Sequence, residues 1–406
     1  MIKKIQQDFS YYSHEFKDNY RKGVHRLRTI LASRAQAQAF VSNAGGVAVV
    51  LGYEPETPDK NAQELYALLA ASPYIDDAVQ TFLGSIYEAG AESHDAMYSD
   101  SARCLEILHD PVLSRAAGAG TVSAGKWIAT LAGQSCNLYR DMNAVAASDI
   151  AMTAVAASET AMAAVIGNVT ALNAVVTSQA AMNAVAASET AMTAVIANST
   201  ALNAVVTSHV AMNAVASSYV AVAAVYESAV AVETVKANET AWATLTGASS
   251  VVMGKAAAKL AGLNPADYAD MTAIASSSTA MAAIAASQTA MAAIASSSTA
   301  MAAIAASSIA LSAIAASTTA LDSIYAKKKR MSGASASLSG KFIILQISND
   351  NAFDTSQYGY ATLSDGSKPK WDSYKGKYAY FKQYKKIATY MKNDTDRDDW
   401  IDYFQC

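Results

Sequence analysis

The middle of the chain follows a ten-residue pattern of apolar and polar positions. A Met or Leu recurs every ten residues, a Val or Ile follows three positions later, and a Ser or Asn follows three positions after that. The pattern runs for eleven repeats from Met142 to Trp242 and for six repeats from Met271 to Leu321. The consensus repeat is Ala-Met-x-Ala-Val/Ile-Ala-Ala-Ser-x-Thr.

The spacing of the two apolar residues predicts helices. Positions three apart share one face of a helix but lie on opposite faces of a strand, and Ala is depleted in strands. In a straight helix, ten residues turn through about 1000°, so the apolar stripe rotates by about 80° at each repeat. One straight helix therefore cannot hold the whole stripe against a single partner.

Two helical arrangements remain open. The helices either supercoil strongly in the left-handed sense, because the apolar period is below 3.5 residues, or each repeat is a short helix that ends and restarts at the Ser-x-Thr step. Asn replaces Ser at Asn168, Asn198 and Asn238. Because Ser and Asn are both good N-caps, this exchange favours interrupted helices. The competing interpretation of the polar row is a plain solvated face.

Each repeat offers little apolar surface, so we expect it to be buried against other copies of the chain. Small Ala side chains allow close approach of helices, and a single apolar row suggests association about a rotation axis. We therefore expect an elongated, mainly α-helical shaft in a homotrimer. The residues expected at the self-association seam are Met142, Val145, Met152, Val155, Met182, Val185, Met281, Ile284, Met291 and Ile294.

The segments around the repeats predict separate domains. Residues 1–140 have apolar spacings of three and four, which are typical of a helical domain. Residues 251–270 shift the register by one residue and contain Asn264-Pro265, so we interpret them as a joint that repairs the register, with a functional hinge as the alternative. The run Phe342–Leu345 and the turn signal Asp365-Gly366 predict a small α+β module at the C-terminus. The expected organisation is a helical domain at 1–140, a first repeat block at 141–250, the joint at 251–270, a second repeat block at 271–330 and the C-terminal module at 331–406.

The charge distribution excludes several classes of protein. Only 16% of residues are charged, against about 25% in an average domain, and the two repeat blocks hold very few of them. Polar Ser and Thr nevertheless interrupt every apolar run before 20 residues, so we expect no membrane insertion. The net charge of −4 gives no basis for nucleic-acid binding. The opening residues Met1–Phe9 lack the apolar segment of a signal peptide.

The sequence carries no recognisable catalytic or metal-binding pattern. The five His are scattered, the three Cys form no Cys-x-x-Cys pair, and no phosphate-binding Gly loop occurs. We therefore expect no enzyme activity, no cofactor and no metal. Fourteen of residues 341–406 are aromatic, and aromatic faces stack on sugars, although a small aromatic core is the competing interpretation. The residues expected to contact a ligand are Trp371, Tyr374, Tyr378, Tyr380, Tyr384 and Trp400.

Repeat segments such as Asp141–Ser148 and Ser278–Ser287 resemble the alanine-rich decad repeats of tailed-bacteriophage tail-fibre proteins. The resemblance covers the two repeat blocks. It implies a homotrimeric virion protein, made in the host cytoplasm, whose N-terminal part attaches to other tail, baseplate or collar proteins. It also implies that the C-terminal module contacts a host surface glycan or protein, or another virion protein. The alternatives are a cellular surface adhesin and an ice-binding repeat protein, which the missing secretion signal and the irregular Thr row respectively disfavour.

Overall fold

The computed structural model of this chain is mainly helical, with a small antiparallel sheet at the C-terminus. The chain divides into two compact units, Met1–Ala214 and Val215–Cys406, and the division falls inside the first repeat block. The residues that the structure describes are 20–53, 60–88, 93–325, 328–332, 336–348, 359–364, 366–367, 370–371, 381–393 and 400–405.

The first unit begins with a helical domain, as the apolar spacing predicted. Its core contains Phe40, Leu69 and Phe82, which are all fully buried. Amphipathic periodicity explains these short helices, because each buries one apolar stripe against its neighbours. The described helices of this domain are α1 (Tyr20–Ala32), α2 (Arg34–Val41), α3 (Ala44–Leu51), α4 (Lys60–Ala70), α5 (Ile75–Ile86), α6 (His94–Tyr98), α7 (Ser101–His109) and α8 (Pro111–Ala117).

Helix α9 (Thr121–Leu131) leads from the helical domain into the repeats. Its N-cap residue is Gly120, which has no side chain to cap the helix. Asp76, in the first turn of α5, does this instead, because its Oδ1 accepts a hydrogen bond from the Ser123 backbone N at 3.0 Å. A Cβ on Gly120 would lie only 2.0 Å from that carboxylate oxygen. The missing side chain of Gly120 therefore leaves room for the Asp76 carboxylate, which caps α9 and joins it to the helical domain.

Each ten-residue repeat forms a short helix of its own, which confirms the interrupted arrangement and excludes a continuous supercoil. The chain leaves the helix at the Ser or Asn position, where the backbone is extended, as at Ser158 (φ −102°, ψ 115°). Consecutive helices consequently bend by about 100°, for example 100° between α11 and α12 and 102° between α23 and α24. The repeat helices are α10 (Met142–Ala146), α11 (Asp149–Ala157), α12 (Glu159–Ile166), α13 (Val169–Thr177), α14 (Gln179–Ala187), α15 (Glu189–Ala197), α16 (Ser199–Thr207), α17 (His209–Ser217), α18 (Tyr219–Glu227), α19 (Ala229–Lys236), α20 (Glu239–Thr246), α22 (Met271–Ala275), α23 (Ser278–Ala286), α24 (Gln288–Ser296), α25 (Ser298–Ala306), α26 (Ser308–Ala316) and α27 (Thr318–Tyr325).

Within each unit, repeat helices pack on the helix three positions earlier in the chain. In the first unit α10 packs on α13, α11 on α14, and α12 on α15. In the second unit α22 packs on α25, α23 on α26, and α24 on α27. Because successive helices bend by about 100°, three of them bring the chain back over its own earlier turn. The expectation that a repeat needs other copies of the chain for burial is therefore wrong, since its partner is the repeat three positions away.

The segment predicted as a joint contains a helix, α21 (Ser250–Leu260), and a 3-10 turn at Pro265–Asp267. Helix α21 packs on α18 before it and on α24 after it. It therefore takes the place of a repeat helix in the series of every third helix.

In the described parts of the chain, no single helix is both long and apolar enough to cross a membrane. Five pairs of consecutive repeat helices pass the same test of length and composition when they are counted together, each bent sharply at the break.

The C-terminal module is a six-stranded antiparallel sheet with the strand order β1-β6-β2-β5-β3-β4. The predicted strand at Phe342–Leu345 is confirmed, and its four side chains are buried. The ring of Phe342 packs edge-on against Tyr403 at 5.4 Å between centroids. An α+β module was predicted, but the described residues of this module form strands only. The strands are β1 (Lys329–Ser332), β2 (Ala336–Ser348), β3 (Gly359–Leu363), β4 (Lys370–Trp371), β5 (Phe381–Asn393) and β6 (Trp400–Gln405).

Replacing Asp76 by Ala is expected to destabilise the start of the repeats, because the N-terminus of α9 loses its side-chain acceptor. We expect a loss of about 1 kcal/mol, the usual cost of removing an N-cap. The measurement is amide hydrogen exchange of α9 in the full chain. The matched control is Asp77→Ala, which removes the neighbouring, exposed carboxylate from the same helical turn. Equal exchange of α9 in the two variants would contradict the capping role.

Candidate functional site

At several repeat junctions the Ser makes two hydrogen bonds with one hydroxyl. At Ser188, the Oγ accepts from the Ala191 backbone N at 3.2 Å, which caps α15. The same hydroxyl donates to the Ala156 carbonyl at 2.6 Å, three repeats earlier in the chain. Ala156 lies in the last turn of α11, where carbonyls have no partner within their own helix. One side chain thus satisfies an unpaired N–H at one helix end and an unpaired C=O at another.

This pair of bonds recurs through both units. In each case the donor hydroxyl lies 32 residues after the carbonyl that accepts its proton, which is the separation that stacking of every third repeat requires. The other pairs are Ser178 to Ala146, Ser208 to Val176, Ser307 to Ala275 and Ser317 to Ala285.

Asn takes over the capping role where it replaces Ser. The Oδ1 atoms of Asn168, Asn198 and Asn238 accept from the backbone N three residues later at 2.9–3.1 Å. The Asn168 amide also fills the space above Gly118, where a Cβ would lie 1.3 Å from its Nδ2. The capping interpretation of the Ser/Asn row is therefore confirmed. A plain solvated face is excluded at positions such as Ser297, which is fully buried.

The apolar residues expected at a self-association seam lie inside the chain's own turns of helices. All of them are at most 1% exposed in a single chain. Their partners are repeat helices of the same chain, so they do not form a surface that another copy contacts. These residues are Met142, Val145, Met152, Val155, Met182, Val185, Met281, Ile284, Met291 and Ile294.

The stacking of every third repeat was missed at the level of sequence, although a signal for it exists. The segment Ala171–Ser178 (ALNAVVTS) recurs without change at Ala201–Ser208, 30 residues later. The junction segment Ala156–Thr160 (AASET) recurs at Ala186–Thr190, again 30 residues later. A 30-residue period laid over a ten-residue period indicates that three repeats complete one turn of the chain.

A polar cluster lies where α9 meets the helical domain. The buried Lys126 pairs with Asp95 and donates to the Tyr139 carbonyl at 3.2 Å. Tyr98 is hydrogen-bonded to Ser123 inside the same region. Burial raises the pKa of the neighbouring Cys104 thiol to about 12, so this cysteine is a thiol, not a nucleophilic thiolate, at neutral pH. The cluster joins α9 to the helical domain.

The six aromatic residues predicted at the C-terminus do not lie side by side in the sheet, as far as the structure describes them. Trp371 belongs to the edge strand β4, Tyr384 to β5 and Trp400 to β6. Strand β3 separates β4 from β5, and β2 separates β5 from β6. The other three, Tyr374, Tyr378 and Tyr380, lie outside the described residues. Ligand contact by these residues stays a prediction.

A buried carboxylate holds the two ends of the C-terminal module together. Asp402 in β6 is fully buried and accepts from Arg330 in β1 at 2.7 and 2.9 Å. Lys328 contributes a further ion pair at 3.0 Å. Burial by itself raises the pKa of Asp402, but the hydrogen bonds from Arg330 and Lys328 outweigh it and hold this pKa below its usual value. Arg330 and its neighbour Lys329 thus belong to strand β1 of the sheet.

No group of three or more His, Cys, Asp or Glu side chains suited to a metal ion occurs among the described residues. No protein-family model and no curated protein matches the chain. The tail-fibre resemblance therefore rests on the repeat sequences alone.

Replacing Ser188 by Ala removes both of its hydrogen bonds and is expected to cost about 2 kcal/mol in the free energy of unfolding. Ser188→Asn keeps the cap but loses the bond to Ala156, so we expect about half that cost. Chemical denaturation of the full chain measures both values. Thr193→Ala, at an exposed position of the same helix, is the control. The double role of Ser188 is refuted if Ser188→Ala is no less stable than this control.

The ion pairs of Asp402 predict a pH dependence of the C-terminal sheet. Because the folded state lowers the pKa of this carboxyl, its contribution is present above the ordinary value of 3.8 and is lost as the pH falls through the lowered pKa. Asp402→Asn is expected to lower stability at pH 7 by about 1–3 kcal/mol and to weaken the acid dependence. Hydrogen exchange of β1 and β6 measures both effects. Asp322→Asn, an exposed change in α27, should leave the sheet unaltered.

Proposed function

We propose that this chain is a structural protein of a tailed-bacteriophage fibre, in which the repeats act as a spacer between two functional ends. The observation that carries the proposal is the bonding of repeats in both units to the repeat three positions earlier within one chain. Each added repeat brings its own cap and its own apolar pair, so the number of repeats sets the size of the spacer. Such a design serves to separate two end modules and needs no catalytic group.

The two flanks fit the ends of such a spacer. Repeat arrays need terminal caps, because their last turns would otherwise expose apolar surface and unpaired backbone groups. In the first unit, α9 packs against α5, α6 and α7 of the helical domain. In the second unit, α26 packs against strand β5 of the sheet. We propose that the helical domain attaches to another tail, baseplate or collar protein, and that the sheet contacts a host surface glycan or protein, or another virion protein.

The homotrimer belongs to the proposal through the resemblance to tail fibres only. An unpaired apolar row was the physical reason to expect three chains, and that row is buried within one chain. Association of copies would therefore use the polar outer faces or the two end modules.

The test is the protein composition of purified phage particles made from a genome that encodes this chain. We expect the chain in the particles by mass spectrometry. We further expect Trp371→Ala and Tyr384→Ala to slow adsorption to host cells about tenfold if these residues form a contact hot spot. Ile150→Ala, which removes an apolar side chain 74% exposed in a repeat, is the matched control.

The outcomes separate the parts of the proposal. Absence of the chain from purified particles contradicts the assignment to the virion. Normal adsorption of both aromatic variants, with the chain still present, removes the host-contact role from these two residues. Loss of the variant chains from the particle, with the control retained, assigns the sheet to contact with another virion protein.

A further inference from the structure

The helix that opens the first repeat block has a copy in the segment between the two blocks. Residues 120–142 and 249–271 share a pattern of Gly-Lys, then Leu-Ala-Gly, then Tyr-x-Asp-Met at a constant offset of 129 residues. We name these two segments the start elements. From sequence, the second segment is interpreted as a joint that repairs the register. Its correspondence with the first segment indicates instead that it begins a new set of repeats.

The two start elements share their backbone geometry. Helices α9 and α21 each have 11 residues and end at a Gly in the left-handed region, Gly133 and Gly262, both with φ 73°. In each case the residue after that Gly donates back to a carbonyl five residues earlier at 2.8 Å, a Schellman closure of the helix. A 3-10 turn follows in both, at Cys136–Leu138 and at Pro265–Asp267.

In both start elements, a glycine of the start helix lies against the backbone at the beginning of the first repeat. A Cβ on Gly125 would lie 2.3 Å from the backbone C of Asp141, and a Cβ on Gly254 would lie 2.5 Å from that of Asp270. These two Asp residues cap the short first repeat helices α10 and α22, each by accepting a backbone N–H at 2.9 Å. The glycine therefore allows the start helix to lie directly on the point where the repeats begin.

The first full turn is joined to each start element by the same bond. Ser158 donates to the Leu131 carbonyl at 3.3 Å, and Ser287 donates to the Leu260 carbonyl at 3.0 Å. Both carbonyls belong to the last turn of a start helix, and both bonds span 27 residues instead of the 32 found between repeats. The start element thus supplies the first acceptor of the ladder of Ser hydrogen bonds.

The two copies differ in what caps their start helices. Helix α9 relies on Asp76 of the helical domain, as described above. Helix α21 is capped by its own neighbour Ser249, whose Oγ accepts from the Val252 backbone N at 3.3 Å. Likewise Trp127 of α9 reaches the helical domain through a hydrogen bond to the Cys104 carbonyl at 3.0 Å, whereas the equivalent residue of α21 is the buried Ala256. The second start element therefore takes the cap of its helix from within its own segment.

We propose that residues 249–271 are a second start element, which seeds the folding of the repeats at 271–325 independently of the first start element at 120–142. The protein then carries two separately seeded series of repeats, and the local stability of each depends on its own start glycine. This inference does not rest on the proposed virion function.

The test compares Gly254→Ala with Gly125→Ala in the full chain by hydrogen-exchange mass spectrometry. For Gly254→Ala we expect at least about a tenfold loss of protection in α22–α27 and unchanged protection in α10–α15, and the reverse for Gly125→Ala. Ala is the better helix former, so helix propensity cannot explain a loss. Gly167→Ala is the matched control, because several other repeats already have Ala at that position.

A milder pair of variants covers the case in which a glycine variant does not fold. Ser287→Ala and Ser158→Ala each remove the first bond of one ladder, and the same separation of effects is expected. The proposal is overturned if a change at one start element lowers protection equally in both sets of repeats. It is also overturned if Gly254→Ala leaves α22–α27 as protected as in the unaltered chain.

Discussion

The fold of the repeats depends on Ser hydroxyls at the junctions, each of which accepts from the helix it starts and donates to a helix three repeats earlier, as at Ser178, Ser188, Ser208, Ser307 and Ser317. A bend of about 100° leaves two unpaired helix ends at every junction, and buried backbone groups without partners are costly. The Ser hydroxyl, being both donor and acceptor, satisfies one group at each end. Asn preserves the capping half of this role at three junctions through its Oδ1.

The same constraint explains the composition. Helices that stack on the helix three repeats earlier must lie close together, which favours small Ala side chains at most buried positions. One Met or Leu and one Val or Ile in each repeat fill the space that remains between the stacked helices. Charged side chains have no place inside such a turn, so the blocks are almost free of them. The high apolar content therefore comes from the many small residues that pack within one chain. The polar residues of the junctions form the hydrogen bonds between stacked repeats.

The first and last repeats of such a series each need a packing partner outside the repeats. The start helix provides the first carbonyls of the ladder, and a glycine lets it lie against the first repeat backbone. In the first copy the helical domain contributes the cap and covers the outer face of the start helix, whereas in the second copy a Ser and small Ala residues replace these contributions. At the other end, the sheet packs on the last repeats and is held together by the buried Asp402.

The local structure follows from short-range patterns in the sequence. The spacing of Met and Val indicated helices, the exchange of Ser with Asn indicated caps, and the run Phe342–Leu345 indicated a buried strand, because these signals depend on residues within one turn or one strand. The aromatic residues of the C-terminus are candidates for a contact, but the positions of Trp371, Tyr384 and Trp400 in three separated strands do not follow from local pattern. The start elements were equally hidden, since their likeness shows only when two distant segments are compared.

The place where the apolar rows are buried follows from the packing of several repeats on one another and cannot be read from one repeat. A periodic apolar stripe indicates that a helix packs against a partner. The stripe looks the same whether the partner is another chain or a later helix of the same chain. The choice depends on the angle between successive helices, which the extended backbone at each Ser or Asn sets, and on the hydroxyl bond to a carbonyl 32 residues away. Both are properties of three repeats taken together, so no single repeat contains them.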